Sequence, residues 1–209
     1  MKIIRKIFDL KQSSIKQVVN RRLSEFSELN EKGNEEWFSE LCFCILTANT
    51  SAELGISVQN KLGYKGFTDF KDEQELALRL KKAKYRFYNR RAHFIALANK
   101  HKKIKSILTK IKDHNKKREW LVQNIKGLGY KESSHFLRNI GYLNFAILDK
   151  HIINLMHKSE RIKKIPKTLT KAKYLNIESK IKEIADYLNM YPGELDLYMW
   201  YIETGKVLK

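Results

Sequence analysis

Acidic residues are scarce in this sequence, and so are the residues that break helices. The 209 residues include 23 Asp and Glu against 42 Lys and Arg, a net charge of +19. Only 2 prolines and 9 glycines occur. A fold of many short strands joined by tight turns would need more of both, which argues against an all-β architecture. Cysteine is nearly absent, with Cys42 and Cys44 alone. Two apart on a helix, they point in different directions and do not bridge. Two thiols hold neither a four-cysteine iron–sulfur cluster nor a cysteine-rich structural zinc. The histidines (His93, His101, His114, His135, His151 and His157) form no metal trio, and no His-Glu-x-x-His occurs. No metal and no cofactor are expected. No apolar run approaches the ~18 residues of a membrane span. Charge interrupts Met1-Lys-Ile-Ile-Arg-Lys-Ile-Phe8 too early for a signal peptide, so a cytoplasmic protein is expected.

What is present is a foldable, strongly basic chain. Hydrophobic residues make up 43%, enough to bury a core. An excess of cations this large opposes compaction and points to a polyanionic partner, with nucleic acid ahead of an anionic membrane surface. The charge is concentrated. Between Lys81 and Arg118 lie 15 Lys and Arg against one acid, Asp113, a local excess of +14. The run also carries Tyr85, Phe87, Tyr88 and Phe94. Cations neutralise phosphates and aromatic faces stack on bases, so this interleaving favours a nucleic-acid surface over a merely solvated face.

Apolar spacing is helical throughout, with no sustained alternation, low-complexity tract or internal repeat. A first helix is predicted around Ile15, Val18, Val19, Phe26 and Leu29. Asn34 is expected to cap a second. Residues 51–62 suit a third that ends at Gly63. Further helices are predicted at Leu76–Ala83, Ala92–Asn99 and Ile104–Ile111. Trp120, Leu121 and Ile125 begin another, and one more runs from Tyr130 or Lys131 to Gly141. The remaining three follow Asp149 or span 177–190 and 193–205. The chain reads as all-α with no clear linker.

The most informative stretch is Val122-Gln-Asn-Ile-Lys-Gly-Leu-Gly-Tyr-Lys-Glu-Ser-Ser-His-Phe-Leu-Arg-Asn-Ile-Gly141. It reads as helix, glycine hairpin, helix. Gly127 and Gly129 are expected to let the backbone turn tightly and approach a ligand. The hairpin feeds a helix N-terminus, where unpaired N–H groups and the macrodipole favour an anion such as a DNA phosphate. Lys131 lies just inside that helix. Asp149 follows 18 residues later, before His151. Taken singly, Lys131 suits a phosphate contact, and Asp149 suits a helix cap.

Together these residues resemble the helix–hairpin–helix DNA glycosylases, the superfamily of endonuclease III, including the lysine that marks bifunctional glycosylase/lyases. Cys42-Phe-Cys-Ile-Leu-Thr-Ala-Asn49-Thr is similar to the superfamily helix whose end reaches the duplex opposite the flipped base. The missing cysteine cluster sets the chain apart from endonuclease III. Tyr85-Arg-Phe-Tyr-Asn-Arg-Arg91 and the closing Leu195-Asp-Leu-Tyr-Met-Trp-Tyr-Ile-Glu-Thr-Gly-Lys-Val-Leu-Lys209 resemble the compact archaeal-type 8-oxoguanine DNA glycosylase/AP lyases, whose chains end at a lysine.

The resemblance implies an all-α helix–hairpin–helix glycosylase fold, with two helical subdomains flanking an active-site cleft. Residues 1–209 would form one glycosylase unit, with the motif at about 118–142. It implies Lys131 as nucleophile and Asp149 as the carboxylate beside C1′. Phe87 and Trp200 would line the pocket for the flipped purine, and Lys209 would discriminate the base by its side chain or terminal carboxylate. Asn49, Arg86, Arg90, Arg91, Gly127 and Gly129 would contact DNA. For Asn49 a helix-cap role stands equally open, and for Phe87 and Trp200 so does core packing. The implied partner is double-stranded DNA containing 8-oxoguanine, bound by a monomer. Two alternatives are the same scaffold acting on another damaged base, and a non-catalytic helix–hairpin–helix module that grips DNA.

Overall fold

The computed structural model describes residues 2–209, and these contain no strand. The helices are α1 Lys2–Lys11, α2 Ile15–Glu31, α3 Asn34–Thr47, α4 Ala52–Thr68, α5 Glu73–Lys82, α6 Tyr88–Ala98, α7 Ile104–Leu108, α8 His114–Asn124, α9 Tyr130–Asn139, α10 Lys150–Lys158, α11 Lys171–Tyr187 and α12 Pro192–Thr204. A 3₁₀ turn, Asn99–His101, follows α6. The chain divides into two compact units, Glu28–Ile140 and Met1–Ser27 with Gly141–Lys209, and the boundary falls inside α2.

The Glu28–Ile140 unit is built around α3. Apart from half-buried Ser39, this helix is buried from Trp37 to Thr47, as befits a central helix that is apolar on most faces. It packs on α4, α6, α7 and α9. The Trp37 ring meets Phe136 edge-on, and its indole N–H donates to the Leu29 carbonyl at 2.8 Å. One polar cluster is sealed inside. Glu40 accepts from Asn139 at 2.6 Å and from Gln59 at 3.1 Å, while Arg138 donates to the Asn139 side-chain Oδ1 at 2.9 Å. Satisfied in this way, a buried charge becomes tolerable and fixes the register of α3 against α9.

In the other unit α12 is the centre, packed by α1, α10 and α11 and, apart from half-buried Glu194, buried from Pro192 to Met199. Pro192 occupies the first turn, where its missing N–H is harmless, and Gly205 closes the helix in the left-handed region.

Several boundaries differ from the sequence reading. Helix α1 was not expected, although Ile3 and Ile7 are one turn apart and both buried. The α3 cap is Gly33, whose amide donates to Glu36 at 3.0 Å, rather than Asn34. Asn34 instead bonds the amide and hydroxyl of Ser106. Gly63 kinks α4 at φ +60° without ending it, because the helix resumes to Thr68. Helix α8 starts at His114 under an Asp113 cap and not at Trp120. Helix α11 starts at Lys171 under Thr170, six residues before the expected 177.

Candidate functional site

The hairpin joins α8 to α9 through residues 125–129. Its backbone closes with the Leu128 amide donating to the Ile125 carbonyl at 3.2 Å. Gly127 has φ +93°, and a Cβ there would stand 2.4 Å from the Phe94 ring. Both the dihedral and the ring penalise any other residue. Gly129 differs from the expectation. Its φ of −95° is ordinary, and a Cβ would meet nothing nearer than Glu132 at 3.5 Å. The fold alone does not require glycine there. Gly129 caps α9, and its amide donates to Glu132 Oε2 at 3.3 Å. Lys131 therefore lies in the first turn of α9, its side chain 23% exposed and its Nζ 3.6 Å from Glu132 Oε1. Sequence reasoning passed over Glu132, although its position three residues after the cap is the signal that finds it.

A groove of about 710 Å³ runs beside the hairpin, lined by Asn49, Arg90, Arg91, Phe94, residues 122–128 and Glu132. It gathers three of the expected DNA contacts, Asn49, Arg90 and Arg91, with Gly127. Asn49 follows the C-terminus of α3 with φ +63°, the left-handed conformation asparagine tolerates at a helix end. Its side chain is exposed, so capping geometry and a surface role coexist. Two buried side chains hold this turn. Tyr85 donates to the Leu46 carbonyl at 2.5 Å, and Arg91 donates to the Ala48 carbonyl at 2.5 Å.

The basic run is therefore less of an open face than its count suggested. Arg91 is 5% exposed, Lys117 3% and Arg118 2%. Lys117 donates to the carbonyls of Leu108 and Ile111, and burial pushes its ammonium below the usual lysine range. Arg118 donates to Ser134 at 3.1 Å and lies over the Tyr130 ring. Half-buried Lys105 donates to the carbonyls of Asn30 and Lys32. Arg86 and Arg90 remain exposed. Half-buried Phe87 carries the Arg86 guanidinium over its ring, 5.1 Å from the centroid. Burial and neighbouring Lys100 lower the His101 pKa, and burial raises that of the Cys42 thiol. Both cysteines are free and buried.

Asp149, Trp200 and Lys209 belong to the other unit. Asp149 caps α10, its Oδ1 accepting the Ile152 amide at 2.9 Å. The segment leading to it, Phe145–Leu148, is buried and non-helical. Half-buried Trp200 packs edge-on against His151 at 4.9 Å between centroids, and its Nε1 is buried without a hydrogen-bond partner. Lys209 is half-buried. Among the described residues no group of three or more His, Cys, Asp and Glu could hold a metal ion, and no helix is long and apolar enough to cross a membrane.

The family described as 8-oxoguanine DNA glycosylase, of helix–hairpin–helix type, matches residues 19–190. The chain belongs to this family. An 8-oxoguanine DNA glycosylase/AP lyase of Methanocaldococcus jannaschii is 50% identical over 209 residues, covering 100% of each chain. One from Korarchaeum cryptofilum is 47% identical over 208 residues, covering 99% of this chain and 98% of its own. A crystal structure of the Methanocaldococcus jannaschii 8-oxoguanine glycosylase/lyase with a 15mer DNA containing 8-oxoguanine superposes with a TM-score of 0.97 at 49% identity, covering 100% of each chain. Family membership thus spans both units, and the hairpin lies inside the matched region.

Proposed function

We propose that the chain is a bifunctional repair enzyme that excises 8-oxoguanine from double-stranded DNA and cleaves the resulting abasic strand. The observation that carries this is the end-to-end likeness to a glycosylase/lyase solved with 8-oxoguanine DNA. The hairpin groove, with its exposed arginine and helix N-terminus, supports the same reading.

The chemistry follows from residue types. A base stacked in a duplex must be flipped out before its sugar bond can be reached. Breaking that bond develops oxocarbenium character at C1′, which a fixed carboxylate stabilises. Asp149 takes this role. The Lys131 amine attacks C1′, the base departs, and the resulting Schiff base allows β-elimination of the 3′ phosphate. Phe87 and Trp200 each offer an aromatic ring for stacking on the flipped purine. Lys209 contributes to discriminating 8-oxoguanine from guanine, which differ by the carbonyl at C8 and the proton on N7. Asn49, Arg86 and Arg90 contact the duplex, with Gly127 and Gly129 at the phosphate. Arg91 acts there by holding the Asn49 turn. The enzyme works in the cytoplasm, with the nucleoid, as a monomer without cofactor or metal.

The test is a panel of duplexes carrying 8-oxoguanine, an oxidised pyrimidine or an alkylpurine, each incubated with the protein and borohydride. Covalent trapping on 8-oxoguanine is expected. Trapping on another lesion alone would reassign the substrate, and binding without trapping would leave only a DNA-gripping module.

A further inference from the structure

A buried non-helical segment inside an otherwise helical unit has a hydrogen-bonding problem. Residues 145–148 are buried, and no neighbouring strand serves their amides. Buried amides need partners. Side chains from α11 and α12 supply them. Glu178 Oε1 accepts the Ala146 amide at 3.3 Å, and Asp196 Oδ1 accepts the Ile147 amide at 3.2 Å. The Tyr174 hydroxyl accepts the Leu148 amide at 3.4 Å and donates to the Ala146 carbonyl at 2.7 Å. The Asp149 amide closes the set by donating to the Ile147 carbonyl at 3.0 Å. Every amide from Ala146 to Asp149 is thereby satisfied.

The three side chains are almost fully buried, Tyr174 at 1%, Glu178 at 2% and Asp196 at 4% exposure. Carboxylates are poor space-fillers in a protein interior, where apolar residues of similar size usually pack at no loss. Their value here lies in what they hold. The segment ends at Asp149, whose Oδ1 is tied to the Ile152 amide. Its backbone and carboxylate are therefore set together, from behind by this frame and from ahead by α10.

We infer that Tyr174, Glu178 and Asp196 are positioning residues for base excision, acting through Asp149. The inference rests on the role proposed for Asp149. None of the three needs to touch DNA. They set where the carboxylate stands when charge develops at C1′, and a displacement of ~1 Å in such a group costs on the order of 10²-fold in rate.

The experiment uses the whole chain with Tyr174→Phe, Asp196→Ala, Asp196→Asn and Asp149→Asn. Four quantities are compared: single-turnover excision of 8-oxoguanine, duplex affinity, melting temperature, and borohydride trapping on a duplex with a pre-formed abasic site. Tyr174→Phe is expected to slow excision roughly ten- to a hundredfold. Duplex affinity and abasic-site trapping, which needs the amine but breaks no bond to a base, should stay near native. Asp196→Asn keeps an oxygen acceptor and should recover most of the rate lost in Asp196→Ala. Excision and abasic-site trapping falling together, in step with lost folded protein, would overturn the inference in favour of packing alone. A folded Tyr174→Phe with native excision would also overturn it, while an inactive Asp149→Asn beside it would leave the role of Asp149 standing. Native excision by Asp149→Asn would remove that role and the inference with it. Should Tyr174→Phe fail to fold, the Asp196 pair decides, and equal losses in alanine and asparagine count against the frame.

Discussion

Alanine at Gly127 faces two separate penalties. At φ +93° an L-residue is strained by about 1–2 kcal/mol. Its methyl would also stand 2.4 Å from Phe94 Cδ2 and 3.0 Å from Cε2. The ring has little room to yield, being buried with the guanidinium groups of Arg90 and Arg91 each 5.5 Å from its centroid. Forcing a methyl into such packing costs about 1–3 kcal/mol. The total of about 2–5 kcal/mol corresponds to a fall in melting temperature of roughly 4–20 °C for a protein of this size. Chemical denaturation of Gly127→Ala, Phe94→Ala and the double variant separates the parts. Alanine at 94 removes every clashing ring atom, so the double variant should be more stable than additivity predicts by about 1–3 kcal/mol. Gly129→Ala is the internal control and should cost no more than about 1 kcal/mol, the share of a helix cap. If it also loses duplex affinity, the close approach of backbone to phosphate is supported separately. An unchanged melting temperature in Gly127→Ala would show that neither the dihedral nor the Phe94 ring constrains position 127, and strictly additive losses in the cycle would show that the ring does not.

Other outcomes follow from the same geometry. Neutralising exposed Arg86 and Arg90 should flatten the salt dependence of duplex binding by ~0.9 log–log units for each phosphate left without its cation, whereas Arg118→Ala should lower the melting temperature and leave the slope. Burial and Lys100 hold the His101 pKa below 6.5, so the folded state binds fewer protons there than the unfolded chain. Stability should therefore fall as pH drops through 6.5 to the lowered folded value, and His101→Gln should remove that component in melts taken across the window. Deleting Lys209 or extending past it should lower the ratio of excision efficiencies for 8-oxoguanine over guanine with little change in melting temperature. An unchanged ratio would release Lys209 from base recognition.

The helical class was legible because apolar residues recur at helical spacing and turn residues are few. The hairpin was legible because glycine and lysine stand at fixed offsets before an amphipathic helix. The N-terminal α1 carries the same signal in Ile3, Ile4, Ile7 and Phe8, but the charges between them weigh in the sequence only against a signal peptide. Gly63 was read as a stop, but a single left-handed residue kinks α4 without ending it, since packing on α3 and α5 carries the helix onward. The basic run misled in a different way. Composition counts cations but does not say which way they point, and Arg91, Lys105, Lys117 and Arg118 turn back to protein carbonyl or hydroxyl groups. The frame behind Asp149 was invisible for the same reason. Tyr174, Glu178 and Asp196 lie 25 to 47 residues beyond it and carry no local motif. Only the folded backbone brings them to residues 146–148.

Lys131 is assigned as the amine that attacks the sugar, and the assignment is tested by mapping the covalent adduct. The protein is incubated with an 8-oxoguanine duplex and borohydride, digested, and the modified peptide sequenced by mass spectrometry. A single adduct at Lys131 is expected, and in Lys131→Gln no adduct and no strand cleavage with duplex affinity retained. An adduct on another amine, or undiminished trapping by Lys131→Gln, would contradict it.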